Sequence, residues 1–269
     1  MVSLLRKRWY LIMKIKAVFI DFDGTLYSHS TKMIPSSAIE AINDLREKGI
    51  KVYLCTGRAP IELKWFDLQG LKLDGFVYNN GQLVIDDNDE IIFKQPLEGT
   101  IKDILVKIFN DKLLPIYFAT LDDIYLNYDD GRVTACQKKV GSEVPHIGKY
   151  NGETIYMCSA FVNSENEINQ YNIREYGEVT YWQEGAVDIC PKNVSKVTGM
   201  KAVLDKEGIS FEEVMGIGDG HNDIEMLKMC GVGVCMGNGK DEVKNFSDYV
   251  TTDIDEDGLY NACKHYNLI

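Results

Sequence analysis

With 269 residues, 45% of them hydrophobic and 26% charged, the chain can bury a full core in one large domain or two, which excludes a disordered polymer. Its 29 lysines and arginines against 41 acids give a net charge of −12 with no basic stripe, which argues against nucleic acid or an anionic membrane as the main partner. The seven cysteines (Cys55, Cys136, Cys158, Cys190, Cys230, Cys235, Cys263) are odd in number and form no C-x-x-C pair, as expected of reduced, mostly buried thiols in a cytoplasmic protein.

At the N-terminus, Arg6-Lys7-Arg8 and the apolar run to Met13 imitate a signal peptide, but the run stops at Lys14 and is too short for that or for a membrane span. Residues 1–13 read as an N-terminal extension. Next, Val18-Phe19-Ile20 is an uninterrupted β-branched and aromatic run, suited to a central parallel strand covered on both faces, and it ends at Asp21 and Asp23. Ser37 and Glu40 have capping-box spacing behind Pro35, and Ile39, Ile42 and Leu45 continue a helical stripe that Gly49 ends. A second strand over 51–55 runs into Thr56-Gly57-Arg58, and a third over 75–78 into Asn79-Asn80-Gly81. This β-α-β order is the unit of a parallel sheet with right-handed crossovers.

From Gln82 the texture changes. Two short apolar runs around Asp86-Asp87-Asn88-Asp89 predict an antiparallel hairpin, followed by amphipathic helices over 101–109 and 165–176 and short strands over 116–119, 124–127 and 178–181. Residues 83–187 therefore read as an inserted α+β domain, interrupting a core made of 14–82 and 188–269. The βα rhythm resumes with a helix over 195–206, a strand over 214–218, a helix over 222–229 and a strand over 231–236. The predicted fold class is α/β: a Rossmann-like parallel sheet with helices on both faces, plus the insert, here termed the cap.

Three strand ends carry polar residues that packing does not require: Asp21 and Asp23, Thr56, and Asp219, Asn222 and Asp223. In a parallel sheet they converge on one crevice. Four carboxylates brought together repel unless a cation neutralises them, and an all-oxygen set without matching cysteine or histidine points to a hard ion such as Mg²⁺. Lys196, opening a later helix, adds a charge to balance an anionic substrate. Acids, a hard metal, a hydroxyl and one lysine suit phosphoryl transfer.

Asp21-Phe22-Asp23-Gly24-Thr25, Thr56-Gly57-Arg58, Lys196 and Gly218-Asp219-Gly220-His221-Asn222-Asp223 resemble, in order and spacing, the four motifs of the haloacid dehalogenase-like superfamily of phosphohydrolases. The resemblance spans nearly the whole chain from Lys14, and an insert between the second and third motifs is similar to the Cof-type branch with a type IIB cap. Asn80-Gly81 and Val234-Cys235-Met236-Gly237-Asn238-Gly239 are similar to further stretches of that branch.

That resemblance implies a role for each matching position. Asp21 would be the nucleophile that forms an aspartyl-phosphate, and Asp23 the general acid and then base, its backbone carbonyl also binding metal. Asp21, Asp23 and Asp219 would hold Mg²⁺, with Asp223 behind them. Thr56, Gly57 and Asn222 would bind the substrate phosphate, and Lys196 would offset its charge. Arg58 and Asn80 are candidate substrate contacts, although Arg58 could equally pair with a core acid.

The implied function is hydrolysis of small phosphomonoesters, sugar phosphates among the candidates, by a cytoplasmic enzyme. A phosphomutase of the same superfamily and a catalytically idle ligand-binding protein are the alternatives. The sequence assigns no oligomeric state.

Other features invite plainer readings. His29 reads as a solvated loop histidine and His221 as a loop residue facing the cap. Asp253-Ile254-Asp255-Glu256-Asp257-Gly258 imitates an EF-hand start, but Lys264 stands where its glutamate belongs, so a helix-entry turn is expected. Gly216-Ile217-Gly218 lacks the third glycine of a dinucleotide fingerprint. In the cap, Asp122, Asp123, Tyr125, Asn127 and Glu184 are the polar residues singled out as able to reach a substrate.

Overall fold

A computed structural model describes residues 14–269, so the expected extension 1–13 lies outside the described residues. Five strands come first: β1 (Ala17–Ile20), β2 (Lys51–Cys55), β3 (Gly75–Tyr78), β4 (Leu83–Asp86) and β5 (Ile91–Lys94). Six follow: β6 (Ile116–Ala119), β7 (Ile124–Leu126), β8 (His146–Ile147), β9 (Met157–Phe161), β10 (Gly177–Gln183) and β11 (Ala186–Pro191). The last are β12 (Val214–Gly218), β13 (Val232–Cys235) and β14 (Tyr249–Val250).

These strands make an eight-stranded sheet, β14-β13-β12-β1-β2-β3-β4-β5, and a six-stranded sheet, β10-β11-β9-β6-β7-β8. β1 is central in the larger sheet and parallel to both neighbours, Phe19 lying between Gly216 and Tyr53. Its alternate side chains serve opposite cores. Val18 and Ile20 pack with Ile42, Leu45, Leu259 and Ala262, from the helices Ser36–Glu47 and Gly258–His265. Ala17 and Phe19 pack instead with Met200, Val203 and Leu204 of the helix Lys196–Glu207. Burial on both faces is why this segment has no polar alternation. The chain leaves β1 toward β2 on one side and returns to β12 on the other, so a crevice opens at the carboxyl end of β1.

The smaller sheet packs one face on the helix Gly99–Asn110, through Leu105, Ile108 and Phe109 against Phe118 and Ile189. Its other face turns toward the larger unit: Tyr117, Met157, Phe161 and Trp182 share an apolar cluster with Ala59, Ile61 and Trp65 from the loop and short helix after β2.

Several expectations need correction. The hairpin β4–β5 does not begin the cap. It adds antiparallel strands to the edge of the larger sheet, β4 pairing with β3, and the crossing falls after Lys94. The expected boundary at 83 was too early because an antiparallel hairpin can extend a parallel sheet as readily as it can start a new one. The return also lies beyond 187, since β11 runs to Pro191. No side chain caps the helix at Ser36–Glu47; it starts behind Pro35, so Ser37 lies within its first turn and the capping box does not form. The helix expected over 165–176 is two short pieces, Asn166–Asn169 and Ile173–Tyr176, parted by Asn172 at φ 53°. At the EF-hand-like stretch, the Asp255 amide donates to the side chain of Asp253, a helix-entry turn as expected. All seven cysteines are buried and unpaired, and no described helix is long and apolar enough to cross a membrane.

Candidate active site

The motif residues meet where β1, β2 and β12 end. Gly24 turns the chain out of the first motif at φ 81°, where a side chain is strained, and a Cβ there would lie 2.6 Å from an Asp219 carboxylate oxygen and displace it. Thr25 Oγ1 donates to Asp219 Oδ1 at 3.0 Å, and Asn238 Nδ2 donates to the Gly24 carbonyl at 2.7 Å.

Lys196 sits at the start of its helix with its side chain 1% exposed. Its Nζ donates to Asp21 Oδ1 at 2.5 Å and Asp223 Oδ1 at 2.6 Å. Burial opposes the lysine's charge, and the charges of Asp21 and Asp223 outweigh it, holding the pKa above its ordinary value. Asp223 also accepts the amides of Asp219 and Gly220 on its second oxygen, fixing the turn that carries Asp219.

Oxygens of Asp21, Asp219 and Asp223 lie within 4.8 Å of one another. Burial first, and then repulsion from Asp223, raises the pKa of Asp21 and pushes Asp219 up to about 6. A compact, mutually repelling oxygen set is what a hard divalent cation would neutralise, so the donor chemistry fits Mg²⁺.

Asp23 points elsewhere. Arg58 grips it as a fork, Nε to Oδ2 at 2.7 Å and Nη2 to Oδ1 at 2.6 Å, and His29 Nε2 lies 2.8 Å from Oδ1. Burial pulls its pKa up, but Arg58 and then His29 more than reverse this, to about 2. Of the two roles expected for Arg58, the structure shows the pairing with an acid, and that acid is Asp23 of the first motif. Its guanidinium lies 4.4 Å from the centre of the Phe66 ring, and Nη1 reaches Ser142 Oγ of the cap at 3.4 Å. His29 is an exposed loop residue as expected, and its ring also contacts Asp23.

Thr56 is buried, its Oγ1 accepting the Arg58 amide at 3.1 Å, while Gly57 forms part of the cavity lining. Asn80, left-handed at φ 52°, accepts from Asn222 Nδ2 at 3.0 Å and donates to Asp188 Oδ2 at 3.4 Å, linking the Asp219 loop to the cap. Asp188 Oδ1 accepts from Ser159 at 2.5 Å, and burial pushes its pKa up to about 7.

These groups surround a cavity of about 300 Å³, floored by Asp21, Asp23 and Asp219 and roofed by cap residues including Tyr117, Trp182 and Asp188. His221 joins the lining from the core side. None of the five cap residues singled out from sequence lines this cavity. Tyr125 donates to Glu153, Asn127 ties down the backbone of Ile116 and Leu114, and Asp123 pairs with His146 at 3.0 Å. The residue missed is Asp188. Its signal was a single acid inside the apolar run Ala186–Pro191, the mark of a buried charge with partners.

The family model of haloacid dehalogenase-like hydrolases matches residues 18–263. A Bacillus subtilis protein that carries a phosphatase name, YkrA, is 31% identical over 260 residues, 96% of this chain and 100% of the relative. The 5-amino-6-(5-phospho-D-ribitylamino)uracil phosphatase YcsE of the same organism is 25% identical over 260 residues, 94% of this chain and 96% of its own. A solved sugar phosphatase of subclass IIB superposes with a TM-score of 0.82 at 30% identity, covering 94% of this chain and 100% of that one. With the four motifs gathered around one crevice on a sheet of this order, the chain belongs to the family of haloacid dehalogenase-like hydrolases.

Proposed function

We propose that the protein is a Mg²⁺-dependent phosphatase that hydrolyses small phosphomonoesters through an aspartyl-phosphate on Asp21. The observation that carries this reading is the Asp21 carboxylate at the cavity floor, with one oxygen held by Lys196 and Asp23 two residues further on. Lys196 opposes the rise in the Asp21 pKa that burial and Asp223 cause, orients the carboxylate and leaves its second oxygen for attack on phosphorus. Asp21, Asp219 and the backbone carbonyl of Asp23 would hold the metal, with Asp223 behind them. Mg²⁺ bound there would supply positive charge against the phosphoryl oxygens. Gly57 and Asn222 line the cavity where the phosphate would enter, with the buried Thr56 behind Gly57.

Asp23 protonates the leaving alkoxide and later takes a proton from the hydrolytic water. An aspartate held near pKa 2 by Arg58 carries no proton to give, so the guanidinium fork must first let go. The incoming phosphoryl dianion is the group that competes for it.

The relatives' names point to sugar phosphates or a ribityl-bearing phosphate as substrates. Buried, unpaired cysteines and a net charge of −12 support a cytoplasmic protein with small-molecule rather than nucleic-acid partners. The test is inorganic phosphate release from a panel of sugar, nucleotide and vitamin phosphates. Asp21→Asn is expected to lower release to background while leaving the melting transition in place, and a chelator to silence the wild type until Mg²⁺ is restored. Activity retained in Asp21→Asn overturns the nucleophile, and activity persisting in chelator removes the metal. A phosphomutase would rearrange its substrate and release no phosphate.

A further inference from the structure

The cap wall of the cavity has a chemical character of its own. Among the described residues, its contribution to the lining contains no lysine, arginine or histidine, and its one charged group is Asp188. Glu62, a second buried acid, lines the cavity from the core side and accepts the Ala59 amide at 2.7 Å. Arg58 and Lys240 line the core side and Arg58 offsets Glu62, so an anionic substituent would meet an uncompensated carboxylate at Asp188, where the cap wall offers no cation. The cap favours a leaving group without negative charge.

Asp188 is held for recognition rather than consumed by packing. Ser159 donates to one oxygen at 2.5 Å, the other receives the long 3.4 Å contact from Asn80, and the Trp182 indole N–H lies near the carboxylate without completing a hydrogen bond to it. Two carboxylate oxygens offer about four lone-pair sites, so acceptor capacity is left over. Asn80 is itself fixed by Asn222, which turns its amide nitrogen toward the cap.

Beside this acceptor lies a donor in need of a partner. The Trp182 indole N–H is buried and completes no hydrogen bond among the described residues, yet it lies close enough to Asp188 to favour that residue's charged form. A buried donor without a partner is costly, and binding of a group that accepts from it recovers that cost. A hydroxyl can donate to a carboxylate and accept from an indole N–H at once. An ammonium cannot accept, and a carbonyl cannot donate.

We propose that Asp188 and Trp182 form a hydroxyl-recognition site on the cap that selects phosphate esters whose leaving group carries a free hydroxyl and no negative charge. The inference rests on the phosphatase reading and deepens it.

The test compares kcat/KM at pH 8, where Asp188 is ionised, for three probes. These are the fastest substrate from a panel of hexose, pentose and polyol phosphates, p-nitrophenyl phosphate, which has no hydroxyl, and fructose 1,6-bisphosphate, which has a second anion. In Asp188→Asn the hydroxylated substrate is expected to lose at least about 10-fold more than p-nitrophenyl phosphate, in line with the discrimination of sites built to bind a hydroxyl. The bisphosphate should gain relative to that substrate. Trp182→Phe, which keeps an aromatic ring against Phe161, should lose on the hydroxylated substrate without that relative gain. Equal loss on all three probes, or an unchanged preference, overturns the proposal. Absence of phosphate release from every probe by the wild type would fell the phosphatase reading instead. Calorimetric binding of glucose 6-phosphate to Asp21→Asn, with and without Asp188→Asn, then decides the hydroxyl site, equal affinities overturning it.

Discussion

Replacing Lys196 by methionine keeps most of the side-chain volume and removes the charge that holds two buried acids, Asp21 and Asp223, together. In the structure its Nζ is in contact with Asp21 and Asp223 at 2.5 and 2.6 Å, almost wholly out of solvent. Losing two charge-assisted hydrogen bonds, at about 1.5–3 kcal/mol each, and stranding buried carboxylates, at about 3–5 kcal/mol for a broken buried pair, give estimates of the same size for one loss rather than two to be added. At about 2–4 °C per kcal/mol for a protein of this size, Lys196→Met should melt roughly 10 °C lower without divalent cations. Thermal unfolding followed by circular dichroism reads this directly. Adding Asp223→Asn should recover part of the loss, because one of the stranded charges is gone, and Mg²⁺ should recover part of it by occupying the acid cluster. A fall of under about 2 °C, or a double variant that melts below the single one, would refute the claim that this lysine neutralises the cluster.

Two further outcomes concern stability. Asp188 has a folded pKa of about 7, raised from 3.8, so the native state binds the extra proton between those values and the residue's contribution to stability falls as pH rises through that window. Asp188→Asn should therefore gain on the wild type between pH 5 and pH 8, by at most about 3 kcal/mol, and calorimetric melting points whose difference is flat with pH would refute this. Gly81→Ala should cost about 2–5 kcal/mol in denaturant unfolding, because its φ is 97° and the new Cβ would fall 1.9 Å from the Ser195 carbonyl oxygen. Gly49→Ala, also at positive φ but with nothing within 4 Å, should cost only about 1–2 kcal/mol, and equal losses would show that close approach does not matter.

Short-range pattern along the chain encodes the strands and the polar residues that end them. The unbroken apolar run Val18-Phe19-Ile20 marked a strand buried on both faces, and Asp21, Thr56 and Asp219 were each recognisable as polar ends of such runs, so the parallel order and the convergence of the motifs could be read directly. The hairpin around Asp86 was equally legible as a hairpin, but hydrogen-bond pattern within a segment carries no information about which sheet edge it joins.

Tertiary structure decided the remainder. Whether Arg58 faced substrate or acid depended on Asp23 lying against it, 35 residues earlier in the chain, and no local periodicity encodes such a pairing. The same holds for His29 beside Asp23, for Asn80 bridging Asn222 and Asp188, and for Tyr125 and Asn127, whose polar atoms are spent inside the cap. Asp188 is the sharpest case. A lone acid within an apolar strand is a signal of a buried charge that went unread, and only the folding of that strand over the carboxyl end of β1 turned the buried acid into one wall of the cavity.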